Sequence, residues 1–289
     1  NLLTKWTGLA RKLPSPLYKA AAQLYVDREF PRHIFIETTA NCNLSCSYCP
    51  REKRNEHMEF ALFKQIIDEC SQYGPRSFSL HLFGEPLLYP HILDAISYIK
   101  KKQKRNTVLL TTNGTLLNKF ADELDSLSVD RIIWSFRRNN FNDTSIQLLR
   151  KRGIIRLLIE ETPKEEFEVW SKFPNVEVKH LHNYGGQIDT AKWGLDNVLG
   201  KRWPCYHLWL APAIRWNGEI TFCCNVPKSG TEVLGSYGTE TLGDVWRGEK
   251  LKQIRESHMK GEYTGACKNC NSYQAYPNIF FGHEYINSR

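Results

Sequence analysis

Six short apolar runs, each followed by a segment of helical periodicity, constrain the fold of this chain more than any other feature. The runs are "HIFIET" (33–38), "SFSLHLF" (77–83), "TVLLTT" (107–112), "RIIWSF" (131–136), "IIRLLIE" (154–160) and "VEVKHL" (176–181). Between them, apolar residues recur at helical spacing: Phe63, Ile66, Ile67 and Cys70, then Ile92, Ile96 and Ile99, then Leu117, Phe120, Leu124 and Leu127. Two further helices are predicted at 145–151 and at 163–173, the latter opening on Pro163. Strands that alternate with helices build a parallel sheet with right-handed crossovers. The expected class is therefore α/β, and such sheets bind ligands at the carboxyl ends of their strands.

The punctuation at those ends carries the chemistry. The first strand runs into "TANCNLSCSYCPR", with Cys42, Cys46 and Cys49 inside eight residues. "GEP" follows the second strand, "TNG" the third and "SFRR" the fourth, so all four fall on one rim. Nine cysteines without a secretion signal point to metal or redox chemistry rather than disulfides. Three thiolates on a loop can hold three irons of a cubane cluster and leave the fourth iron open, with Tyr48 as an apolar lid. With His57 as a fourth ligand, the same loop can instead hold zinc. Cys70, on an apolar helical stripe, is expected in the core, and His81 is expected as a satisfied polar group inside the second strand.

Near residue 185 the alternation breaks at "NYGG" and "DNVLGKRWP". Beyond lie strands near 213–223, a helix near 241–258 and a terminal C-x-x-C. Cys205, Cys223, Cys267 and Cys270 supply four thiolates, enough for a complete 4Fe–4S cluster or a structural zinc. Cys224 adjoins one of them. It is read either as a small buried hydrophobe or as a thiol facing the barrel that donates hydrogen, and which of Cys223 and Cys224 is the ligand stays open. The expected organisation is an N-terminal helical extension (1–32, with Leu17, Ala20, Ala21 and Leu24 on one face), a barrel (33–190), an auxiliary-cluster domain (191–275) and an aromatic tail (276–289).

A net charge of +8 permits an anionic partner without requiring one. The densest basic run, Lys100 to Arg105, ends a predicted helix where cations suit the macrodipole, so nucleic acid is not the expected partner. No stretch is long and apolar enough for a membrane span, and the expected location is cytoplasmic.

The C-x3-C-x-aromatic-C loop after a first strand resembles the signature of the radical S-adenosylmethionine (SAM) superfamily. That resemblance implies a partial (β/α)6 barrel that cleaves SAM reductively and abstracts hydrogen through a 5′-deoxyadenosyl radical. It further implies that Gly84, Glu85 and Pro86 take the methionine amine, with Phe83 where the family has a first Gly. Thr112 and Asn113 match the "TNG" element, Ser135 the ribose-binding serine, and Tyr48 the aromatic of the loop. Gly153, Ile155 and Glu160 match the strand-five element faintly, with Leu157 in place of its second Gly. Arg137 and Arg138 follow the fourth strand on the same rim, where one of them, Arg137 first, is read either as a partner of the SAM carboxylate or an anionic substrate group or as part of a solvated loop. The cysteines of 205–270 resemble the SPASM region in its shortened Twitch form, which implies one auxiliary 4Fe–4S cluster besides the SAM-binding one. The implied reductant is a flavodoxin or ferredoxin. The architecture resembles superfamily dehydrogenases and epimerases of aminocyclitols and aminoglycosides, so a hydroxylated small molecule is the expected substrate. Modification of a ribosomally made peptide is the alternative; the 32 residues before the first strand are short for a leader-binding domain. An iron–sulfur electron carrier or zinc scaffold is the non-enzymatic alternative.

Overall fold

A computed structural model of the chain describes residues 29–135, 141–195, 204–205, 207–226 and 230–271. The expected N-terminal helix, Arg137 and Arg138, and the tail at 276–289 lie outside the described residues. Strands β1 (His33–Ile36), β2 (Ser77–Ser79), β3 (Thr107–Thr112), β4 (Arg131–Ser135), β5 (Gly153–Leu158) and β6 (Val176–Lys179) pair in parallel in sequence order. Helices α1 (Phe60–Ser71), α2 (Ile92–Lys102), α3 (Leu117–Ser126), α4 (Asp143–Arg152) and α5 (Lys164–Trp170) connect them.

The period of two sorts the strands into two faces. Ile34, Ile36, Phe78, Leu80, Val108, Leu110, Ile132, Trp134, Ile155 and Leu157 form one core with the helices, including Phe63, Ile66, Ile67 and the fully buried Cys70 of α1. Each such isoleucine or phenylalanine contributes about 1.5–3 kcal/mol relative to exposure. The residues between them, such as Phe35, Ser79, Ile133, Ser135 and Arg156, line the opposite, concave face. Two small apolar clusters lie apart from the main core: Phe35 with Ala211 and Ala213, and Tyr48 with Leu158 and Leu181. Two cations of the basic run at the end of α2 pair within the fold, Lys100 with Asp130 at 2.5 Å and Lys102 with Asp68 at 2.7 Å.

Three details depart from the sequence reading. β2 ends at Ser79, so His81 lies beyond the strand. Its ring substitutes for ladder atoms: Nδ1 accepts the Thr111 N–H at 3.2 Å and Nε2 lies 3.0 Å from Thr111 Oγ1. The C-terminal strands also continue the main sheet. β7 (Ala213–Ile214) runs parallel to β1, then β8 (Glu219–Thr221) and β9 (Val233–Ser236) add antiparallel, giving the order β6-β5-β4-β3-β2-β1-β7-β8-β9. Finally, the helix near 241–258 is two helices, α7 (Leu242–Arg247) and α8 (Glu249–Lys260), because Gly248 between them is extended. A short helix, α6 (His207–Leu210), precedes β7.

Candidate functional site

The three-cysteine loop is anchored at both ends. Its start and its return pair as a small ladder: Ala40 N–H bonds Glu56 O at 2.9 Å, Met58 N–H bonds Thr38 O at 2.9 Å, and Thr39 faces His57. His57 is thereby engaged in the ladder, with its ring toward Tyr89 at 6.2 Å. Within the loop, Arg51 donates to the Cys42 and Leu44 carbonyls at 3.2 and 3.1 Å, and Cys49 N–H closes on Cys46 O at 3.1 Å. Tyr48 is buried against Leu158 and Leu181, which pins the loop to the β5 and β6 side of the rim.

The two motifs after β2 and β3 are joined by one carboxylate. Glu85 Oε1 accepts Thr112 Oγ1–H at 2.7 Å, and Oε2 accepts the Asn113 N–H at 2.7 Å. Leu87 N–H adds a third bond at 3.2 Å, opening the short turn at Pro86–Leu88. Burial raises the Glu85 carboxyl against the lowering effect of these donors. The Glu85 side chain is thus committed to holding the rim. Its backbone N–H bonds Asn41 O at 2.8 Å, fastening the GEP turn to the cysteine loop. Asn113 completes the junction, with Nδ2 at 2.9 Å from Asn43 Oδ1 and 3.8 Å from Cys42 Sγ. The structure therefore gathers Cys42, Gly84, Glu85, Pro86, Thr112 and Asn113 at one place. Ser135 ends β4, half-buried on the concave face.

The second set of thiols also converges. Cys267 is pushed up chiefly by burial, then by the charges of Cys223, Cys205 and Cys270. Cys49 in the first loop is raised by burial, with Cys46 and Cys42 adding to it. Thiols that burial and mutual repulsion make reluctant to ionise are a donor set that a cationic iron centre relieves, so both sets fit iron–sulfur clusters. The Cys267–Cys270 loop rests on the turn after β6. Asn183 and Asn271 exchange bonds, the Asn183 N–H to Asn271 Oδ1 at 2.7 Å and the Asn271 N–H to Asn183 Oδ1 at 3.0 Å, while Asn183 Nδ2 donates to Asn269 O. Gly185, at φ +69°, passes so close that a Cβ would meet the Ala266 carbonyl at 2.9 Å.

Cys223 and Cys224 part company. Cys223, like Cys205 and Cys270, acts on Cys267, and its own thiol is raised by a hydrogen bond with Cys224 and then by burial. Cys224 packs on Phe35, Ala211 and Ala213 of the concave face. It also lies near enough to Lys179 to act on its charge. The His207 ring joins both sulfurs, all three ligand atoms lying within 4.8 Å of one another.

Several site residues carry no motif. Arg156 of β5 sits between Ser135 and Glu177 in register, and Arg156 Nε donates to Glu177 Oε2 at 2.7 Å. Lys179 Nζ meets the other Glu177 oxygen at 2.7 Å. Arg156 acts on His81, and Arg156 and Lys179 both act on His182; burial first, then these cations, hold the imidazoles down to about 3 and about 4. Glu37, following β1, is raised to about 7 by burial, against the Phe83 and Trp216 N–H groups and Arg215. The signal available in sequence was a lone charge inside an apolar run: Arg156 in "IIRLLI" and Glu37 in "FIET".

A family model described as the radical SAM superfamily matches residues 36–136, and one described as an iron–sulfur cluster-binding domain, SPASM, matches 205–271. A probable GTP 3′,8-cyclase of Methanococcus maripaludis is 37% identical over 105 residues, 35% of this chain and 35% of that protein. The chain thus spans about a third of the length of the cyclases it matches. The S-adenosyl-L-methionine-dependent 2-deoxy-scyllo-inosamine dehydrogenase of Niallia circulans is 23% identical over 261 residues, 83% of this chain and 92% of that protein. Among solved structures, BtrN in complex with AdoMet and 2-DOIA superimposes with a TM-score of 0.64 at 22% identity, covering 84% of this chain and 93% of that one. Streptococcus suis SuiB bound to precursor peptide SuiA gives 0.62 at 17% identity, covering 83% and 70%. These likenesses show a common fold.

Proposed function

The chain belongs to the radical SAM superfamily, carries a SPASM iron–sulfur domain and has two 4Fe–4S clusters and SAM as its cofactors; on that premise we propose that it acts on an unactivated C–H bond of a hydroxylated small molecule held in the concave face of the barrel. When bound, the cofactors supply a 5′-deoxyadenosyl radical for hydrogen abstraction and a one-electron redox partner. In this reading Cys42, Cys46 and Cys49 hold the SAM-binding cluster, and Cys205, Cys223, Cys267 and Cys270 hold the auxiliary one. The Gly84–Pro86 backbone, with Thr112, Asn113, Ser135 and Tyr48 around it, orients SAM. Arg137 remains a proposed contact of the SAM carboxylate.

The observation that carries the catalytic outcome is the placement of Cys224 among Phe35, Ala211 and Ala213 on the concave face. A thiol there donates a hydrogen atom to a substrate radical from its own side, which inverts the carbon without changing its oxidation level; the Cys224 thiyl left behind would take one electron from the redox partner and one proton from solvent to return to the thiol. A second reading, dehydrogenation, is favoured by the length over which the inosamine dehydrogenase aligns.

Turnover in deuterated water distinguishes them. Epimerisation through Cys224 adds one solvent deuteron to the product, and Cys224→Ala abolishes that gain while 5′-deoxyadenosine still forms. Loss of two hydrogens from the product establishes dehydrogenation. If the anaerobically reconstituted protein with dithionite forms no more 5′-deoxyadenosine than a Cys42→Ala variant, the whole reading fails.

A further inference from the structure

The wall formed by β5 and β6 is charged where a barrel interior is usually apolar or neutral. Parallel register puts Ser135, Arg156 and Glu177 side by side on the concave face, with Lys179 two residues on from Glu177. Glu177 uses one oxygen for each cation, 2.7 Å to Arg156 Nε and 2.7 Å to Lys179 Nζ. Two cations therefore share one carboxylate. The other titratable groups facing them do not redress the balance. His81 and His182 are held neutral by burial. Glu37 stands by β1 and β7, where Arg215 is the cation that acts on it. Among the described residues, Arg156 makes its hydrogen bond through Nε, and its two terminal nitrogens make none.

An excess cation in a partly buried site is costly unless something anionic meets it. Arg156 and Lys179 side chains are only 21% and 35% exposed. A guanidinium fork beside an ammonium is the donor set that carboxylate, phosphate and sulfate select. Position says which anion. Of the groups matched to SAM, Cys42 to Asn113 lie at the β1–β3 side of the rim and Ser135 of β4 borders Arg156, while Lys179, on the edge strand, lies near enough to Cys224 to feel its charge.

We infer that Arg156 and Lys179 form an anion-binding wall of the barrel interior and that the compound whose C–H bond is attacked carries a carboxylate, phosphate or sulfate group. The inference rests on the proposed reading and narrows its substrate class from hydroxylated small molecules at large to acidic ones, such as sugar acids or sugar phosphates. It disfavours a plain aminocyclitol, whose ammonium would face the two cations. Glu177 is a positioning residue that sets the spacing of the pair.

The test is equilibrium binding to the reconstituted, SAM-loaded holoenzyme with four probes: glucuronate, glucose 6-phosphate, glucose and glucosamine. Either acidic sugar is expected to bind about ten-fold or more tightly than glucose and glucosamine, the scale of one charge-assisted contact. Lys179→Met removes that preference and Lys179→Arg restores it, with Arg156→Gln as an independent second variant. SAM affinity, read on the same proteins without a sugar, stays unchanged. Equal binding of all four probes, no binding by either acid, or a preference for glucosamine overturns the inference. So does a Lys179→Met variant that loses SAM itself, since the anion would then be the SAM carboxylate. Formation of 5′-deoxyadenosine by the same preparation separates these failures from failure of the radical reading.

Discussion

At the scale of single residues, the site depends on a side chain that is missing. A Cβ on Gly84 would fall inside the Thr39 carbonyl and within 2.9 Å of the Asn41 carbonyl. Those two carbonyls belong to the backbone that leads into the cysteine loop, so neither can retreat without moving Cys42. Overpacking of this kind costs about 1–3 kcal/mol or more where backbone is the obstacle. Gly84→Ala is expected to lower the melting temperature and to weaken SAM binding together, measured by thermal denaturation and by equilibrium binding on reconstituted protein. A Phe83→Gly change is expected to be milder, because Phe83 contacts the Tyr184 ring at 5.8 Å and nothing requires its bulk for the backbone path. If Gly84→Ala binds SAM as the wild type does, the tight junction between the two loops is not what positions the cofactor.

At the scale of elements, the turn after β6 ties the auxiliary thiols to the barrel. Asn183 is fully buried, and its side chain bonds the backbone of Asn271 and Asn269. Asn183→Ala removes the bonds to the Asn271 N–H and the Asn269 carbonyl, at a cost of about 0.5–1.5 kcal/mol each. The expected result is a destabilised protein that retains roughly four irons per chain instead of about eight, the count for two cubanes, with the SAM-dependent cluster signal preserved. Iron analysis and electron paramagnetic resonance of the two clusters check it; full iron content in the variant would show that the clasp does not support the second cluster.

The same elements show what could be read from sequence and what could not. The strands with helices on one side were legible because Ile34, Phe78, Val108 and Ile132 alternate with residues of the other face, and the thiolate loop was legible because three cysteines leave few chemical options. The β5–β6 wall was not. In "VEVKHL" the apolar and charged positions alternate cleanly, which reads as charges in water. In the fold the polarity is inverted: Val178 is 47% exposed, while Glu177 and Lys179 face the barrel interior. β6 is the edge of the sheet, so its outer face is thinly covered. Amphipathic alternation fixes which residues share a face, but not which face is the interior. The continuation of the sheet through β7 escaped for a related reason. Two residues, Ala213 and Ile214, make that strand, too few to show a period, and its place is set by the bonds from Phe35 N–H to Pro212 O and from Glu37 N–H to Ile214 O.

At the scale of the whole molecule, buried titratable groups on the concave face set opposing responses to pH. His81, His182 and His207 are held by burial at about 3, about 4 and about 4, below their ordinary 6.5. The unfolded chain takes up protons on these rings first as pH falls, so their neutral burial favours the fold above about 6.5 and that contribution is lost on acidification toward 4. Glu37 works the other way. Its carboxyl is raised from 4.5 to about 7, so between those values the folded protein keeps a proton that the unfolded chain has released. Its contribution is fully present below 4.5 and is lost as pH rises through 7. Replacing Glu37 by Gln mimics the protonated form and removes the loss. The variant is expected to match the wild type near pH 4.5 and to exceed it by on the order of 1–3 kcal/mol at pH 8. Urea denaturation of both proteins between pH 5 and 8 reads the difference directly. A stability difference that does not grow with pH would mean that Glu37 is ionised throughout, held so by Arg215 and the Phe83 and Trp216 N–H groups, and that the carboxylate is a fixed charge at the seam between β1 and β7.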